Sequence, residues 1–153
     1  MRVRRLVLAS LLLLLPALAA NACGGSKQSP RDAYAQKLES ACNDMRTQIE
    51  DLGQPGDTPL AKIYPGTVRI GHAFVRQITQ LDPPAGEQAS AGLLIKQFGY
   101  YFDGLAIGYA VLVKRNSQQG FIQTVGGAEA NLKLAEGYAR KLGANACTRR
   151  PFR

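Results

Sequence analysis

Few side chains in this sequence could carry out a reaction, and their spacing narrows the chemistry further. There is one histidine, His72. A helix-borne metal site would pair it with a carboxylate three residues before or a second histidine four residues away. Those positions hold Arg69 and Arg76, so the ring has cations instead of co-ligands on its own face. No Cys-Cys metal spacing, Gly-x-Ser-x-Gly elbow, phosphate-cradling loop or dinucleotide fingerprint occurs. Glu39, Glu50, Glu129 and Glu136 are dispersed and read as a solvated face, with Glu129–Lys133 and Glu136–Arg140 as i,i+4 pairs. No catalytic residue, metal or cofactor is expected, and the chain is not expected to be an enzyme.

The three cysteines say more. Met1–Arg5 is a basic n-region, Leu6–Leu18 an apolar stretch and Ala20-Asn21-Ala22 a small-residue cleavage site, which together make a secretory signal over residues 1–22. The apolar run falls short of the roughly 20 residues that span a bilayer. Cys23-Gly24-Gly25-Ser26 then resembles the start of mature bacterial lipoproteins, in which the cysteine thiol takes a diacylglyceryl group ahead of a flexible tether, here residues 23–29. Asn21 departs from that family's lipobox, and plain cleavage after Ala22 to give a secreted soluble protein is the alternative. Parity favours lipidation at Cys23, because it leaves Cys42 and Cys147 as a clean pair in an oxidising compartment.

Two further clusters could bind something. Phe98, Tyr101, Phe102 and Tyr109 fall on one helical face, with Gly99, Gly104 and Gly108 between them. The small residues either let a neighbouring helix approach or leave room for an apolar ligand beside the rings. Ordinary core packing is the plainer expectation. At the other end of the chain, Arg149, Arg150 and Arg153 make a basic tail that could touch an anionic envelope surface. Net charge is +8, but Arg2, Arg4 and Arg5 belong to the export segment. The remainder is only modestly basic and lacks the dense stripe that nucleic-acid binding needs.

The elements that hold these groups are helical. Ser29 caps a helix that opens with Pro30 and carries Asp32 in its first turn. Tyr34, Leu38, Cys42, Met45, Ile49 and Leu52 repeat at spacings of three and four, predicting a helix over Pro30–Leu52. A Pro/Gly-rich connection over 53–66 holds at most a short helical turn from Thr58-Pro59. A second helix is predicted over Thr67–Leu81, with Ile70, Phe74, Ile78 and Leu81 inward, stopped by Asp82-Pro83-Pro84. A third spans Glu87–Lys114, and Asn116-Ser117 turns into a fourth that ends at Leu142 before Gly143. Ile122, Val125, Leu132, Ala135 and Tyr138 are its predicted inner face. Short connections imply an all-α, antiparallel up-down-up-down four-helix bundle over residues 30–153. In that topology the last helix finishes near the start of the first, so a Cys42–Cys147 disulfide closes the domain.

The capped segment Tyr34–Cys42, the Leu81-Asp-Pro-Pro84 turn and the closing Leu142-Gly-Ala-Asn-Ala-Cys147 resemble small Cys-paired helical lipoproteins of high-GC Gram-positive bacteria. That resemblance covers most of the mature chain and implies fold and address, with no activity attached. The expected function is a non-enzymatic exported lipoprotein serving as a binding or accessory module of the cell envelope. It would be held at the membrane by a lipid on Cys23 and have an envelope protein or small molecule as partner. The alternatives are a carrier of a small apolar ligand beside the third-helix aromatics, and a structural protein contacting anionic envelope through its basic C-terminus.

Overall fold

The computed structural model describes residues 28–150, so the export segment, Cys23 and Arg153 lie outside the described residues. Four helices follow one another: α1 Pro30–Glu50, α2 Leu60–Thr79, α3 Gln88–Arg115 and α4 Gln118–Lys141. A short 3-10 helix, Asn145–Thr148, comes last. None of the described helices is long and apolar enough to cross a membrane.

α1 begins as its residues dictate. Ser29 Oγ accepts from the backbone N–H of Asp32 at 3.1 Å, and Pro30 fills the first helical position, where a missing N–H costs nothing. Tyr34, Leu38, Cys42, Met45 and Ile49 are buried, the face their spacing requires. Helical geometry ends at Glu50 and not at Leu52, although Leu52 still packs against the core.

α2 departs from expectation. It starts at Leu60, well before Thr67, and runs through Pro65. A proline in a helix lacks the N–H that would bond the carbonyl four residues back. Here that carbonyl, of Ala61, accepts from the hydroxyl of Tyr109 on α3 at 3.5 Å. A neighbouring helix thus supplies the missing donor, and the two predicted segments fuse into one.

Close approach sets the remaining spacing. Gly71 is buried on α2 where a Cβ would run into the Phe102 ring. On α3, Gly104 faces Ala128 and Gly108 faces Val125, and a Cβ at Gly104 would lie 2.6 Å from that of Ala128. These contacts pair rising α3 numbers with falling α4 numbers, so that helix pair is antiparallel. Gly104 and Gly108 therefore admit a helix, while Gly99 faces open space. Asn116 adopts a left-handed conformation at φ 47° and Ser117 caps α4 through the N–H of Gly120, as the sequence implies. Two predicted placements on α4 are corrected. Ile122 is 60% exposed, and Glu136 turns inward away from Arg140.

The end of the chain decides the architecture. Gly143, at φ 79°, reverses the backbone after α4, with the N–H of Ala144 bonded to the carbonyl of Ala139 and that of Gly143 to Arg140. This is a Schellman-type stop. The 3-10 helix then runs back along α1: the N–H of Ala146 reaches Glu39 at 3.3 Å, and Cys147 joins Cys42 across a Cα–Cα distance of 5.1 Å. It packs on both α1 and α4, whose own backbones nowhere come within 8 Å Cα–Cα of each other among the described residues. At the base, Arg31 bridges the gap, donating to the carbonyl of Lys141 at 2.6 Å and pairing with Glu87 at 3.2 Å. The expected disulfide is present, but it secures an inserted segment between the first and last helices.

Candidate functional site: a cavity between α1 and α4

Past the 3-10 helix the separation of α1 and α4 continues, and among the described residues a cavity of about 280 Å³ lies there. Met45 and Ile49 of α1 form one wall, and Val125 and Leu132 of α4 the opposite one. Ile63, Tyr64 and Thr67 of α2 and Phe98, Tyr101, Phe102 and Leu105 of α3 add to the lining, with the exposed Pro55 and Leu60 at its edge. Cys147, Arg149 and Arg150 of the returning chain bound it as well.

Phe98, Tyr101 and Phe102 are therefore brought to one space, as their spacing suggested, while Tyr109 is not. Its ring stacks on Tyr64 at 6.0 Å between centroids, behind the lining, and its hydroxyl serves Ala61. Phe98 and Phe102 are almost fully buried and lie 6.4 Å apart in a stacked arrangement, with Phe74 edge-on to Phe98 at 5.1 Å. They belong to the core and the cavity at once. Tyr64 is wedged edge-on against Phe121 at 5.2 Å.

Four charged groups stand at the boundary. Glu129 and Glu136 come from α4, Arg149 and Arg150 from the chain end. Arg150 Nε lies 3.5 Å from Glu136 Oε1, with the carboxylate side chain 14% exposed and the guanidinium 42%. Glu129 and Arg149 have no ion-pair partner among the described residues. Tyr101, between them and the core, has its hydroxyl pushed up to about 12. Burial is the main cause; the Glu129 charge adds to it and Arg150 opposes it. Thr67 is 5% exposed and its Oγ1 has no hydrogen-bond partner among the described residues.

Sequence reasoning missed the two carboxylates, Thr67 and Tyr64. Glu136 has Arg140 one turn on, the pattern of a solvated pair, and only the returning chain supplies Arg150. His72 lies elsewhere, half-exposed on α2 with its Nε2 3.0 Å from Asp103 of α3. No group of three or more potential metal ligands assembles among the described residues. Arg149 and Arg150 are placed at the cavity, and Arg153 lies outside the described residues. Comparison with known proteins finds no matching family model, curated protein or solved structure.

Proposed function

We propose that this is an exported envelope protein that holds a small, largely apolar molecule in the cavity between α1 and α4. The single observation that carries the reading is the cavity itself. It places Phe98, Tyr101 and Phe102 beside a space of about 280 Å³ that two helices in direct contact would have filled. A fold that keeps such a volume open beside three aromatic rings, closed at one side by a disulfide-held segment, is built around a guest.

The rest of the reading follows the same line. The helices are taken as up-down-up-down, with the fourth returning to the start of the first, as the antiparallel α3–α4 pair supports. Cys42 and Cys147 consume each other, which leaves Cys23 as the odd thiol and supports its acylation after export. Tethered in this way, the domain acts as a non-enzymatic binding module at the outer face of a membrane.

A neutral probe tests the ligand site. Calorimetric titration with 4-phenylbutan-1-ol should give saturable, one-to-one binding. Leu132→Phe, which adds volume to the α4 wall, should weaken it by about tenfold or more while leaving the circular dichroism spectrum unchanged. Binding that is absent, or that ignores the substitution, would overturn the reading.

A further inference from the structure

We propose that the guest is a hydrophobic amine, a compact aromatic or aliphatic body whose cationic nitrogen is received by Glu136, with Glu129 adding negative charge to the same boundary. The inference rests on the cavity being a ligand site and deepens it by assigning the guest's charge.

The boundary carries two carboxylates and two guanidiniums, of which Glu129 and Arg149 are exposed; the most buried charge belongs to the Arg150–Glu136 pair, and a guest that engages it displaces one partner. The two choices are unequal. A guest carboxylate that took Arg150 would strand Glu136, the more buried partner at 14% exposure, beside a second negative charge. A guest ammonium that took Glu136 would release Arg150, already 42% exposed, into water on a long flexible stem. The less costly exchange is the one that admits a cation. Glu129, exposed and without an ion-pair partner among the described residues, lies two turns before Glu136 on the same helix and adds negative charge to the boundary.

The lining agrees. Tyr64, Tyr101, Phe98 and Phe102 line the same space and give the guest's apolar body an aromatic surround. The volume exceeds the roughly 150 Å³ that holds a benzene and sits near the lower bound for drug-sized sites, which fits one ring with a short chain. Thr67 Oγ1, buried and unpartnered, offers one hydrogen bond to a polar atom on that body. Against this stands the chain's net charge of +8, which draws anions to the surface as a whole. A carboxylate of the same body is therefore the proper competitor.

The experiment compares 4-phenylbutylamine, 4-phenylbutan-1-ol and 4-phenylbutanoate by calorimetric titration of the purified chain at neutral pH. The amine should bind about tenfold tighter than the alcohol, and the carboxylate weaker than either. Glu136→Gln should remove about fivefold or more of the amine's affinity and Glu129→Gln less than that, and both should leave that of the alcohol within about twofold. Arg150→Ala should strengthen amine binding by removing the competing cation. Alcohol binding without any preference for the amine would overturn this inference and leave the ligand site standing. Tightest binding by the carboxylate, weakened by Arg150→Ala, would overturn it in favour of an anion site. If none of the three binds, the ligand site falls and this inference with it.

Discussion

The hydroxyl of Tyr109 donates to the carbonyl of Ala61, the acceptor that Pro65 leaves without its helical partner. One bond thus lets a proline sit inside α2, extends that helix to Leu60, and brings Tyr64 and Ile63 to the cavity. Tyr109→Phe keeps the ring on Tyr64 but leaves the exposed carbonyl to water, so it should destabilise the fold by at most about 1 kcal/mol. In a Pro65→Ala background the helix recovers its own N–H, and the same substitution should cost clearly less. Urea unfolding of the four variants, analysed as a double-mutant cycle, checks this. Equal costs in both backgrounds would contradict it.

Two helical glycines should respond in opposite directions. Gly71→Ala drives a methyl into the Phe102 ring and should cost roughly 1–3 kcal/mol, the range for overpacked cores. Gly126 in α4 has open space where a Cβ would go, so Gly126→Ala should stabilise by roughly 0.5–1 kcal/mol through helix propensity alone. Chemical denaturation of both variants gives the signs directly.

The disulfide closes a separation of 105 residues. In the chain-entropy description its loss should cost roughly 4–5 kcal/mol. Because Cys147 also fixes the segment that carries Arg149 and Arg150, the paired substitution Cys42→Ser/Cys147→Ser should weaken guest binding even under conditions where helix content is retained. Circular dichroism and titration of the same sample separate the two effects. Unchanged binding in a helical, unbridged protein would show that the returning chain does not shape the cavity.

Tyr101 gives the fold an alkaline limit. Its hydroxyl is held near 12, above the ordinary value of 10.0, mainly by burial and next by Glu129. A folded value above the unfolded one means the stabilisation is complete below pH about 10 and is lost as pH climbs toward about 12, since only the unfolded chain ionises freely there. Tyr34 and Tyr64 are raised by burial too and act in the same direction. Ultraviolet titration of phenolate absorbance should show a late-titrating tyrosine that disappears in Tyr101→Phe. The variant should also flatten the fall of melting temperature above pH about 10.

Much of this fold was legible in the residues because its signals are local. Ser29-Pro30 starts α1, Asn116-Ser117 divides α3 from α4, and the stripe from Tyr34 to Ile49 names its own buried face. Cysteine parity and helix order placed Cys42 near Cys147. What escaped depended on partners far along the chain. Pro65 reads as a helix breaker until Tyr109 answers Ala61. Glu136 reads as solvated until the backbone reverses at Gly143 and delivers Arg150. The cavity was half visible: Phe98, Tyr101 and Phe102 share a helical face, but that α1 and α4 stand apart follows from an insertion of small residues, Ala144 and Ala146, whose spacing has no period to read.

Crystallography of the purified chain under xenon pressure tests the central claim most directly. An apolar gas atom enters any preformed space of adequate size, and density is expected between Met45 of α1 and Leu132 of α4, beside Phe102. Side chains filling that space, with no xenon bound there, would contradict the account.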